Sequence, residues 1–118
     1  MAKDPNSDAL RGNLDLMVLS TLSDGPKYGY LIQQRLSDAS RGFIAVQAGT
    51  LYPILHKLED DKLVKCRWDS ETGRQRKWYE LTVKGTKRLE QRASQWQQVT
   101  LCLQELLGPV LKGLPEAT

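Results

Sequence analysis

The sequence is poor in the side chains that most enzyme chemistry needs. Its 118 residues hold one histidine and two cysteines. They form no glycine-rich phosphate loop and no carboxylate or nucleophile constellation of recognisable spacing, which argues against an enzyme. Cys66 and Cys102 lie far apart with no CxxC or Cys/His ligand spacing, so neither a disulfide framework nor a zinc site is expected, and no metal or cofactor is implied. Lys65 and Arg67 flank Cys66, which leaves open a redox role for that thiol, or for Cys102. No stretch approaches the roughly 20 uninterrupted apolar residues of a membrane span, and Met1 to Ser7 is polar where a signal peptide would be apolar. A cytoplasmic protein without membrane contact is the expectation. With 40% apolar residues, the chain is long enough for one compact domain and an appendage, though not for two domains.

The net charge of +3 says little alone, but its distribution is uneven: residues 62 to 92 carry ten Lys/Arg against four Asp/Glu. A local basic surface is what a phosphate backbone attracts.

Apolar periodicity places the elements. After Ser7 and Asp8, plausible caps, Leu10, Leu14, Met17, Val18 and Leu22 recur at three- and four-residue steps, and Ser23-Asp24-Gly25-Pro26 stops that helix. A second helix fits Tyr28 to about Ser40, with Tyr28, Ile32 and Leu36 on one face. A third covers about Gln47 to Asp61 on the stripe Leu51, Ile54, Leu55, Leu58. Its opposite face, Gly49, Pro53, His56 and Asp60, is small or polar, and Pro53 predicts an irregular or widened first turn. His56 reads as a surface or packing residue.

Lys62 to Trp68 and Arg76 to Thr82 read as two strands joined by a polar, Gly-containing tip. Trp68 and Trp78 are spaced to pair across them, while alternation this short leaves open which face meets the core. Three helices followed by a basic hairpin is the winged-helix order. The fold class is therefore mostly α with a small β-hairpin, a winged helix-turn-helix plus a long C-terminal helix. That last helix starts at the N-cap Thr82 and is expected to end at Leu107, before Gly108-Pro109. Leu89, Trp96 and Leu103 recur every seven residues, joined by Val99 and Leu106, and Arg92 interrupts the pattern. A stripe so narrow on a helix so long predicts pairing with a second copy, with folding back on the first helix as the alternative. The expected division is a DNA-binding unit at 1–82, a dimerisation helix at 83–107 and a flexible tail at 108–118.

The run Gly49-Thr50-Leu51-Tyr52-Pro53-Ile54-Leu55-His56-Lys57-Leu58-Glu59, then Leu63-Val64, Gly73-Arg74-Gln75-Arg76-Lys77-Trp78-Tyr79 and Leu81-Thr82-Val83-Lys84-Gly85, resembles the PadR-like transcriptional regulators. Leu14 to Leu22, Gly25 and Tyr28 to Ile32 extend the likeness upstream. The resemblance implies a dimeric bacterial repressor that binds a roughly palindromic double-stranded operator and releases it on binding a small hydrophobic or phenolic effector. The short C-terminal region is similar to the family's compact branch, in which one long helix supplies the dimer contacts and, in some members, an aromatic residue on it meets flat hydrophobic drugs; Trp96 is the candidate here. Many relatives have Gly before the first strand where this chain has Asp61-Lys62, so a tight turn is expected to be lost.

For DNA, the helix-turn-helix reading places Gln47, Ala48, Gly49, Thr50 and Tyr52 in the major groove. Gln47 is the candidate base reader, with Thr50 or Tyr52 fixing phosphate register. Arg74, Arg76 and Lys77 on the hairpin are expected to neutralise phosphates, with Lys27, Tyr28 and Lys57 adding backbone contacts. The competing reading is a winged-helix protein-interaction module whose basic hairpin is incidental.

Overall fold

Each apolar stripe buries its own side of a shared core. The computed structural model describes residues 12–70 and 73–115, and among them run α1 (Leu14–Ser20), β1 (Lys27–Tyr28), α2 (Gly29–Ala39), α3 (Ala48–Asp60), β2 (Val64–Asp69), β3 (Arg76–Leu81) and α4 (Val83–Lys112). Ser7, Asp8 and Leu10, assigned to the first helix, lie outside the described residues. Val18 and Leu19 of α1, Ile32 of α2, and Leu51 and Leu55 of α3 are fully buried together, and Leu58, Leu63, Val64 and Tyr79 complete the cluster. Each such side chain contributes about 1.5–3 kcal/mol by leaving water, which fixes the three helices against one face of the sheet.

The sheet has three strands, in the order β1-β3-β2, all antiparallel. Lys27 and Tyr28, expected at the start of a helix, instead pair with Tyr79 and Trp78. Tyr28 is extended (φ −92°, ψ 168°) and only caps α2, because Gly25 (φ 141°) has already turned the chain along the sheet edge. The register decides the face that alternation left open: Val64↔Leu81 and Cys66↔Tyr79 turn toward the core, Lys65↔Glu80 and Arg67↔Trp78 away from it. Trp68 pairs with Lys77, not with Trp78. An offset of one residue puts the two tryptophans on opposite faces, and Trp78 packs edge-on against Tyr28, with ring centroids 5.0 Å apart.

The turn after α3 is kept without glycine. Lys62 takes φ +63°, Lys62 N donates to Glu59 O (3.0 Å) and Leu63 N to Leu58 O (2.9 Å), the paired bonds that close a helix on a left-handed residue. Two backbone bonds and the burial of Leu63 and Val64 outweigh the roughly 1–2 kcal/mol a side chain costs in that conformation. Beyond β3, Thr82 caps α4 as expected: its hydroxyl accepts from Gly85 N (2.9 Å) and donates to Lys62 O (2.7 Å), while Thr82 N donates to Leu63 O (3.1 Å). This joint brings Gly85 so near the chain that an added Cβ would lie 1.9 Å from Leu63 O.

Past that joint, α4 does not stop at Leu107 but continues through Gly108 and Pro109 to Lys112. Pro109 forfeits its hydrogen bond and crowds the Glu105 carbonyl, but Gly108 has no Cβ to collide with the proline ring, and the helix runs on through the pair. Residues 108–112 therefore belong to it and not to a tail. Among the described residues its contacts with its own domain run from its start to about Val99: Leu89 packs against the core, Arg92 reaches the Gly12 carbonyl at 3.5 Å, which accounts for the break in the seam, and Trp96 and Val99 line a recess with Asn13 and Leu16. The architecture is a winged helix-turn-helix, β2 and β3 forming the wing, with a long C-terminal helix.

Candidate nucleic-acid interface

The N-terminal turn of α3 is open to solvent. Burial of Leu51, Leu55 and Leu58 on one side turns Gln47, Ala48, Gly49 and Thr50 outward, and all four are exposed. Thr50 N and Leu51 N both donate to Gln47 O (3.0 and 2.9 Å), so the turn before Pro53 tightens instead of widening, and the Gln47 side chain is not spent on capping the helix. The remaining orphan N–H groups and the helix dipole favour an anion here. Gly49 is informative: a Cβ added to it would meet nothing within 4 Å, so nothing within the fold calls for glycine at this exposed helical position.

Tyr52, one turn on, is half-exposed with its hydroxyl pressed on Gly29, where an added Cβ would lie 2.5 Å from Tyr52 Oη. Gly29 thus sets the direction in which Tyr52 points. Lys57 lies on the opposite flank of α3, near Asp15 at 3.5 Å, an exposed pair worth little to stability.

The cations assigned to the wing divide into free and anchored ones. Arg74 is exposed beside the tip glycine, Gly73 (φ 76°). Arg76 stacks its guanidinium 4.7 Å over the Tyr28 ring, and Lys77 is drawn down to Glu59 of α3 at 3.3 Å. Lys27 is largely buried and ion-paired with Asp24, whose carboxyl the Lys27 hydrogen bond and charge hold below its ordinary value. The structure therefore gathers Gln47 to Thr50 and Tyr52 on one face and Arg74, Arg76 and Lys77 on the wing, and leaves Lys27 turned inward.

Between those faces lies a cleft of about 430 Å³, lined by Tyr28, Tyr52, His56, Trp68, Gln75, Arg76 and Lys77 among others. His56, Trp68 and Gln75 were not among the site residues expected from sequence. Only the outward position of His56 on the α3 wheel pointed there; the register that brings Trp68 beside Lys77 is a tertiary fact.

Cys66 stands behind the cleft. Burial, and then its hydrogen bond to Glu59, push the thiol up to about 11, while that bond and the Lys77 charge hold Glu59 below the usual carboxylate value. Lys65 and Arg67 point to the opposite face of β2, so their charges do not offset this. The thiolate that a redox switch needs is suppressed at Cys66.

On α4, Trp96 is half-buried in a recess of about 240 Å³ with Asn13, Leu16, Arg92, Gln95 and Val99. Val99 is 48% exposed, and Leu103, Leu106 and Val110 continue outward along the same seam. Among the described residues no helix is long and apolar enough to cross a membrane.

Residues 18–91 match the model of the transcriptional regulator PadR-like family. A PadR-like transcriptional regulator from Bacillus cereus is 29% identical and superposes with a TM-score of 0.75 over 85% of this chain and 96% of its own. A PadR family regulator from Eggerthella lenta is 33% identical, with a TM-score of 0.70 over 86% and 84%. An uncharacterised protein of Lysinibacillus sphaericus is 28% identical across 109 residues, covering 92% of this chain and 96% of that protein. With its winged helix, long C-terminal helix and this match, the chain belongs to the PadR-like family of transcriptional regulators and is not an enzyme.

Proposed function

We propose that the protein is a dimeric, sequence-specific DNA-binding repressor of the cytoplasm, released from its operator by a small hydrophobic or phenolic effector. The observation that carries the DNA reading is the exposed turn Gln47 to Thr50, where an added Cβ at Gly49 would meet nothing within 4 Å; in this reading the missing side chain lets the backbone approach DNA closely. In this reading Gln47 reads a base edge, Thr50 and Tyr52 hold phosphate register, and Arg74, Arg76 and Lys77 carry the wing along the backbone. The apolar seam Trp96, Val99, Leu103 and Leu106 joins two copies, so that their reading helices face successive turns of a palindromic site. Leu89, packed against its own core, supports the seam from behind. Trp96, recessed beside α1, is the proposed effector contact.

The test is binding of the purified protein to its own upstream DNA through a salt titration, repeated with Gly49→Ala and Trp96→Ala. Selective, salt-steep binding that Gly49→Ala weakens at least about tenfold, with an altered response to hydrophobic dyes in Trp96→Ala, is expected. Binding no tighter than to a random duplex at any salt would overturn the reading and leave the wing serving a protein partner.

A further inference from the structure

The cleft between α3 and the wing contains the only histidine of the chain, His56. His56 is exposed on the outward side of α3, one turn beyond Tyr52. Across from it stand Gln75 and Arg76, Lys77 held in place by Glu59 at 3.3 Å, and Trp68, 65% exposed, as an apolar wall. If Gln47 to Thr50 enter a major groove and Arg74 lies along the neighbouring minor groove, the sugar–phosphate strand dividing those grooves passes between α3 and the wing. That path crosses the cleft. A site with the Lys77 ammonium, the Arg76 guanidinium, the Gln75 amide and the exposed Trp68 ring suits a phosphodiester and the apolar face of its sugar.

We propose that His56 contacts a DNA phosphate in this cleft beside Lys77, and that the contact favours the protonated imidazole, so that acid strengthens DNA binding. The inference rests on the reading of the chain as a DNA-binding regulator. The titratable and charged groups that line the cleft with the imidazole are Tyr52 on α3, Arg76, Lys77 and Tyr79 on β3 and Tyr28 on β1, with Glu59 of α3 beside them and Cys66 of β2 behind Glu59. Glu59 is already engaged by Lys77 and by the Cys66 thiol. Cys66 and Tyr79 keep their protons up to about 11 and about 12, outside the neutral range. A phosphate anion favours the imidazolium, so the histidine holds its proton to higher pH in the complex than in the free protein. Affinity is therefore expected to fall as pH rises.

The experiment is fluorescence anisotropy of labelled upstream duplex with wild type and His56→Gln, at about pH 5.5 to 8, the range in which histidine titrates, with thermal melts at each pH to confirm folding. The wild type is expected to bind about fivefold or more tighter at the acid end, where a neutral contact has become charge-assisted. His56→Gln, which donates a hydrogen bond but cannot be protonated, is expected to lose that dependence. Its salt slope at the acid end falls by about one ion per protomer. Tight, salt-steep wild-type binding that ignores pH, or pH dependence unchanged in His56→Gln, overturns the role of His56 and leaves the DNA reading intact. Absence of selective binding by the wild type at every pH overturns both.

Discussion

Gly85→Ala isolates the joint between wing and C-terminal helix. By helix propensity alone the change stabilises, since alanine is better than glycine inside a helix by about 1 kcal/mol. The joint reverses the sign. A Cβ at this position lies 1.9 Å from Leu63 O and 2.9 Å from Leu63 C, and the obstacle is backbone, which cannot rotate aside. The first turn of α4 must therefore retreat by on the order of 1 Å, which loosens the bonds from Thr82 N to Leu63 O and from Thr82 Oγ1 to Lys62 O. Losing these costs about 1 kcal/mol each, and overpacking adds about 1–3 kcal/mol. After the propensity gain, a net loss of about 2–4 kcal/mol remains. At about 4 °C per kcal/mol for a chain of this size, the midpoint of thermal unfolding falls by about 8–16 °C, read by circular dichroism at fixed protein concentration because the proposed dimerisation would also move it. Thr86→Ala, next along on the exposed side, stays within about 0.5 kcal/mol. A Gly85→Ala protein that melts at or above the wild type would refute the reasoning, since propensity would then outweigh the contact.

Lys62→Gly relieves a left-handed side chain of about 1–2 kcal/mol at an unfolded-state entropy cost of about 0.5–1 kcal/mol, so urea denaturation is expected to show a gain of roughly 0.5–1 kcal/mol; a loss would mean that the residue does not hold φ +63°. Leu106 is 66% exposed in the single chain, so Leu106→Asp is expected to leave the monomer fold intact, while sedimentation at micromolar protein is expected to show dimer for the wild type and monomer for the variant, with operator affinity lost in parallel; an unchanged dimer places the interface elsewhere. At alkaline pH the sign follows from Cys66 and Tyr79. Both hold protons to about 11 and about 12, against ordinary values of 9.0 and 10.0, so the stability they contribute is full below about pH 9 and is lost as pH rises through the folded values. Cys66→Ala is expected to flatten the early part of that decline, and at pH 8 iodoacetamide is expected to modify the exposed Cys102 well before Cys66.

The elements with long apolar stripes were legible because helical periodicity is written in consecutive residues: α2, α3 and the start of α4 lie within a residue or two of their expected bounds. Thr82 was legible as a cap because capping is settled within one turn. Elsewhere local signals were overridden. Lys27 and Tyr28 carry no strand signature in two residues and become a strand only because β3 offers an edge. Gly108-Pro109 reads as a stop, yet the helix runs on through the pair. The exposed patch Gln47 to Thr50 was legible in the same way as the stripe behind it, being its complement on the wheel.

The sequence by itself thus determined which residues form helices and wing, which side of each helix is buried, and the family to which the chain is similar, because these depend on spacing along the backbone. Only the tertiary structure decided which cations are free: Arg74 stays open, while Asp24 takes Lys27 and Glu59 takes Lys77. It alone placed Trp68 beside Lys77, set His56 in the cleft and silenced Cys66. Those outcomes rest on strand register and on contacts between residues distant in the chain, where a shift of one position reverses the face and no local pattern records the choice.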